Sequence, residues 1–126
     1  MRLRALAVLI CCASLLAVPA AAAGRGAPIP TTISRDFATT IGTVLQQYGH
    51  LTSPNPKCLA GRTVKLVYYY PDGEKLVDTD VTSFSGIWGG SGPSGITGLR
   101  YTATTKRFGP KKHRRTCASA TGQVTD

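Results

Sequence analysis

Apolar and polar positions alternate with a period of two along much of this chain. The alternation is cleanest from Arg62 to Tyr70, where Val64, Leu66, Tyr68 and Tyr70 fall on one side and Lys65, Val67 and Tyr69 on the other. That is the signature of a half-buried β-strand. Pro71-Asp72-Gly73 follows as a tight-turn signal: proline presets φ and glycine accepts the left-handed residue. Lys75 to Val81 reads as the return strand, and Asp78 and Asp80 among Leu76, Val77 and Val81 suit an edge position. Thr82 to Gly86 is the next turn, and Ile87-Trp88 begin a short strand. The glycine-rich stretch over 89–98 reads as a flexible loop. Leu99, Tyr101 and Ala103 then alternate against Arg100, Thr102 and Thr104 in a strand running to Lys106. Phe108-Gly109-Pro110 stops it, Lys111 to Arg115 forms a basic loop, and a last edge strand is expected near Gln123-Val124.

The first third of the chain is less regular. Phe37, Ile41, Val44 and Leu45 have helical spacing, with Ser34 as a cap. Thr39, Thr40, Ile41, Thr43 and Val44 are a β-branched run interrupted by Gly42, which opposes a helix. The balance favours a strand from about Thr39 to Gln46, with a further strand segment at Tyr48–Thr52. Ser53-Pro54-Asn55-Pro56 must end it, because prolines cannot donate to a ladder. Residues 24–38 read as an extended, partly mobile lead-in. Residues 1–23 read as a signal peptide: Arg2 and Arg4, an apolar run from Ala5 to Val18, then small residues after Pro19. The run is too short for a membrane anchor.

Composition adds a compartment and a surface. The 126 residues suit one domain. The formal net charge is +9, and removing Arg2 and Arg4 with the leader leaves +7. Only Cys58 and Cys117 remain after cleavage, so an exported domain would pair them in one disulfide, two free thiols being the alternative.

The order of cysteine, Gly61-Arg62, alternating strand, Pro-Asp-Gly hairpin and Thr79-Asp80-Val81-Thr82-x-x-x-Gly86-x-Trp88 resembles the transthyretin-like β-sandwich family, which includes carboxypeptidase regulatory-like modules. It is most similar to small secreted proteins of high-GC Gram-positive bacteria, with one cysteine before the first long strand and one after the last. Ser83 stands where that pattern has aspartate. The resemblance spans about Tyr48 to Val124. It implies an all-β, antiparallel sandwich over residues 39–126, in a family whose members are often non-catalytic extracellular modules.

Several patterns could carry chemistry. Gly90-x-Gly92-x-x-Gly95 matches a dinucleotide fingerprint by letter, but no helix follows it and Pro93 removes an amide from the cradle. Asp78 and Asp80, with Asp72 and Glu74 nearby, offer oxygens to Ca²⁺ without a loop spacing that converges them. They read instead as solvated carboxylates facing Lys75 or Arg62. His50 has no serine elbow beside it, and His113 lies among cations. The family's hydroxyisourate-hydrolysing relatives end in Tyr-Arg-Gly-Ser, whereas this chain ends Gln-Val-Thr-Asp. Tyr68, Tyr69, Tyr70 and Trp88 read as core or rim rather than as a sugar platform. The sharpest feature is Lys106, Arg107, Lys111, Lys112, Arg114 and Arg115, six cations with no acid among them. Such a cluster binds polyanions through counterion release, with Tyr101 and Phe108 as candidate stacking neighbours.

The expectation is therefore an exported, monomeric, disulfide-tied β-sandwich without catalytic residues, metal or cofactor. Its partner would be an anionic cell-envelope polymer or lipid headgroup rather than nucleic acid. The alternative is a cationic effector acting on membranes or surface polymers, with a small hydrolase third.

Overall fold

The computed structural model describes residues 26–125. The leader expected over residues 1–23 lies outside them. The described chain is all-β, with strands β1 (Thr32–Ile41), β2 (Val44–Thr52), β3 (Thr63–Tyr69), β4 (Lys75–Val81), β5 (Ile87–Pro93), β6 (Gly98–Ala103), β7 (Lys106–Phe108), β8 (Arg115–Cys117) and β9 (Ala120–Thr125). They form a three-stranded sheet β1-β2-β5, a four-stranded sheet β4-β3-β6-β9 and the small β7-β8 hairpin. Every ladder is antiparallel.

The strand expected from Thr39 to Gln46 is a hairpin instead. Ile41 pairs with Val44, and Gly42 takes φ +62° in the two-residue loop between them. A positive φ at the first loop residue gives the connection the twist of its flanking strands. β1 also begins at Thr32, inside the expected lead-in. Ile29 is fixed to β8, with its N–H on the Thr116 carbonyl (2.7 Å) and its carbonyl on the Ala118 N–H (2.8 Å). A register shift between Arg35 and Phe37 leaves Asp36 as a bulge residue.

β2 alternates strictly, burying Leu45, Gln47, Gly49 and Leu51. β3 buries Val64, Leu66 and Tyr68 completely, as its pattern predicts. Gly73 closes the Pro71-Asp72 turn at φ +88°, and the Gly73 N–H donates to the Tyr70 carbonyl. β4 is an exposed edge, as expected. Trp88 fills the centre of the core, stacked on Tyr101 at 5.2 Å between ring centroids.

The expected loop over 89–98 is strand as far as Pro93. Its glycines supply clearance rather than freedom. A Cβ on Gly90 would lie 2.6 Å from Leu66 Cδ1, and one on Gly92 would overlap the Tyr68 ring. Large side chains of β3 therefore lie directly against the β5 backbone. The core between the two larger sheets comprises Leu45, Leu51, Val64, Leu66, Tyr68, Trp88, Leu99, Tyr101 and Ala103. Each such fully buried large side chain contributes about 1.5–3 kcal/mol.

Cys58 and Cys117 form a disulfide with Cα atoms 5.5 Å apart. With Ile29 and Phe108 they make a second small core. Closing 59 residues of separation is worth about 4 kcal/mol in the chain-entropy model.

Candidate functional site

The basic segment is built around the β7-β8 hairpin. Lys106 pairs with Cys117, Arg107 with Thr116 and Phe108 with Arg115. Gly109 turns the chain at φ +95°. Pro110 starts a single 3-10 turn over Lys111–His113, closed by the His113 N–H on the Pro110 carbonyl at 2.8 Å. The disulfide anchors the C-terminal end of β8 to the turn at Pro56–Cys58. The loop is thus short, cation-dense and pinned at its base.

Five of the six expected cations project from it. Arg107, Lys111, Lys112, Arg114 and Arg115 are exposed, and none forms an ion pair among the described residues, where the one salt bridge is His50–Asp36. Lys106 is placed differently. It is half-buried, and its Nζ donates to the Ala60 carbonyl at 2.6 Å and the Lys57 carbonyl at 3.2 Å. It fastens the hairpin to the Cys58 turn. Lys57 takes its place at the surface: its Nζ lies 5.6 Å from the Phe108 ring centroid, with the Arg115 guanidinium carbon 6.0 Å from the same centroid. The signal for Lys57 was its position one residue before Cys58, since a Cys58–Cys117 bridge must bring it to the hairpin. Of the two aromatics, Phe108 is beside the cations. Tyr101 is buried on Trp88 and cannot stack on a ligand there.

Asp72 and Glu74 lie far from the basic hairpin, whereas Asp80, paired with Val64, lies at its end of β3. The β7-β8 hairpin follows the end of β6 where Ala103 pairs with Val64. Asp72 and Glu74 lie in the turn at the other end of β3, beyond the Tyr69–Lys75 pair. Seven residues of strand separate the two ends by about 20 Å, roughly twice the screening length at 0.1 M salt.

The other candidates resolve locally. Asp78 and Asp80 are in register with Leu66 and Val64. Asp80 Oδ2 accepts the Gly89 N–H at 2.7 Å, tying β4 to β5. Neither carboxylate meets Lys75 or Arg62 in an ion pair, and no metal-holding group of His, Cys, Asp and Glu occurs among the described residues. Arg62 is buried, and all five of its N–H groups go to neutral oxygens: the carbonyls of Cys58, Thr104 and Ala118 and the hydroxyl of Thr31. Burial lowers its pKa from the usual arginine value.

One constellation was not legible in the sequence. The Ser34 hydroxyl donates to Asp36 Oδ1 at 2.6 Å and lies 3.0 Å from His50 Nδ1, while His50 Nδ1 lies 2.5 Å from Asp36 Oδ2. Ser34 and His50 are cross-strand partners, and the bulge at Asp36 swings the carboxylate onto them. A serine–histidine–acid relay passes through both ring nitrogens. Here serine and aspartate share one, so the trio is wired as a clasp across β1 and β2 rather than as a relay. Its sequence signal, a cross-strand pair, required the β1-β2 register.

The residues behind the family resemblance have structural work to do. Thr82 Oγ1 donates to the Leu59 carbonyl at 2.6 Å and accepts the Arg62 N–H at 2.8 Å. Gly86 turns at φ +88°, and Trp88 Nε1 donates to the Ser34 carbonyl. No protein-family model, curated protein or solved structure matches this chain.

Proposed function

We propose that this chain is an exported, non-catalytic β-sandwich of transthyretin-like type that binds an anionic cell-envelope polymer through the β7-β8 hairpin. The observation that carries the reading is the presence of five exposed cations on one short hairpin with no carboxylate among the described residues paired to any of them. Lys57 extends the cluster beside Phe108. A polymer of repeated phosphates or carboxylates would release its counterions on contact. The Cys58–Cys117 disulfide supports an oxidising, extracytoplasmic location. Anchoring by that disulfide and by Lys106 limits the entropy lost when the loop meets its ligand.

The test is co-sedimentation of the mature protein with purified cell wall from its own organism, across a salt series. Binding should weaken steeply with salt. Replacing Lys111, Lys112, Arg114 and Arg115 with Ser should lower the log–log salt slope by about three to four and remove most of the bound protein. Salt-independent binding, or retention by the quadruple variant, would refute the proposal. Leakage from anionic liposomes in place of wall binding would favour the effector alternative.

A further inference from the structure

A cleft of about 250 Å³ opens between β1 and β9, where the two larger sheets meet edge to edge. Its walls mix Leu45, Ile96, Leu99 and Val124 with Thr39, Thr40 and Ser94, and Arg35 is the single charged residue among the described ones that line it. Arg35 is half-buried. Its Nε donates to Gln47 Oε1 at 3.0 Å, and Gln47 Nε2 donates in turn to the Tyr68 hydroxyl at 2.9 Å. Gln47 and Tyr68 are both buried, so the guanidinium is held from behind by a fixed polar chain. Among the described residues its Nη1 and Nη2 groups have no hydrogen-bond partner, and it forms no ion pair.

A cation drawn partly out of water without a counter-charge is unfavourable, and an anion entering the cleft would relieve it. The unused edge of the guanidinium is a planar fork matched to a carboxylate. Ile96 and Val124, with the edges of Leu45 and Leu99, supply apolar contact, and the hydroxyls of Thr39, Thr40 and Ser94 supply the polar remainder of the wall. Clefts for drug-sized ligands run to about 300–1,000 Å³, so this one suits something smaller. We infer that the cleft is a binding site for a small apolar carboxylate, with the carboxylate on Arg35 and the hydrocarbon against Leu45, Ile96, Leu99 and Val124. This site is separate from the basic hairpin and does not depend on it.

The probe is octanoate, titrated into the mature protein by calorimetry, with octan-1-ol and acetate as probes of each half of the site. Octanoate should bind at least tenfold more tightly than either. Arg35→Gln should weaken octanoate at least tenfold, and Ile96→Trp, which fills the cleft from a surface connection, should abolish binding. The quadruple Ser variant of the hairpin should bind octanoate as the parent does. Thermal melts of each variant establish folding; if Arg35→Gln fails to fold, Ile96→Trp and the octan-1-ol comparison decide. Absence of saturable octanoate binding, equal binding of octan-1-ol, survival of binding in Ile96→Trp or in folded Arg35→Gln, or its loss in the hairpin variant would each overturn the proposal.

Discussion

Arg62 grips the carbonyl oxygen of Thr104 with two donors, Nε at 2.9 Å and Nη2 at 2.7 Å. Thr104 lies between β6 and β7. The same guanidinium reaches Cys58 beside the disulfide, Ala118 between β8 and β9, and Thr31 just before β1. Four segments far apart in sequence are thereby joined by one side chain, only 1% exposed. A carboxylate partner is unnecessary because carbonyl dipoles surround the charge.

Replacing Arg62 with Met keeps most of the apolar stem but leaves buried carbonyls without donors. The expected loss is about 3–5 kcal/mol by urea unfolding. Arg62→Lys should recover little of it, because three donors on a point cannot reproduce a planar fork. A Met variant within about 1 kcal/mol of the parent would show that the buried fork is not structural.

The contrast between Val64 and Gly92 explains what the sequence made legible. Val64, Leu66 and Tyr68 declare their face by alternation alone, because burial of a strand face is a local, period-two property. Cys58–Cys117 was legible because two thiols leave a single pairing. Gly90 and Gly92 were misread because a glycine that clears a neighbour and a glycine that frees a loop look alike without the neighbour. Gly42 works in the other direction: it interrupts a β-branched run that reads as one strand, and it is the turn between two. Lys106 belonged to the basic run by composition but is spent on carbonyls of the Cys58 turn. His50 meets Ser34 and Asp36 only through the register of the β1-β2 hairpin, which alternation alone does not show.

The Ser34–Asp36–His50 clasp carries a pH signature. The Ser34 hydroxyl, followed by His50, holds the Asp36 carboxyl below its ordinary value of 3.8. A carboxyl depressed on folding contributes stability that is fully present above its unfolded pKa and lost as pH falls through the lower folded one. The stability difference between parent and Asp36→Asn should therefore be present at neutral pH and close below about pH 4. It should be small and shrink further in high salt, because the group is exposed. Carbon-detected NMR titration of the Asp36 carboxyl checks this directly. A midpoint at or above the ordinary value would mean that the clasp does not form in solution.

The placement of β5 against Tyr68 makes the most discriminating prediction. Replacing glycine with alanine usually stabilises a protein by about 0.4–1 kcal/mol where the backbone permits, because the unfolded chain loses freedom. Gly89 meets that condition: its Cβ would lie 3.5 Å from the Gln47 carbonyl oxygen, an ordinary contact. Gly92 does not, since its Cβ would overlap the Tyr68 ring, and that ring is fully buried with its hydroxyl held by Gln47. Gly92→Ala should thus cost about 1–3 kcal/mol, while Gly89→Ala should be neutral or mildly stabilising. Truncating the ring relieves the clash, so Tyr68→Leu combined with Gly92→Ala should be less harmful than the sum of the two, with a coupling of at least about 1 kcal/mol. If Gly92→Ala proves as mild as Gly89→Ala, the glycine run is a free loop, β5 ends at Trp88, and the wall it supplies to the core is not there.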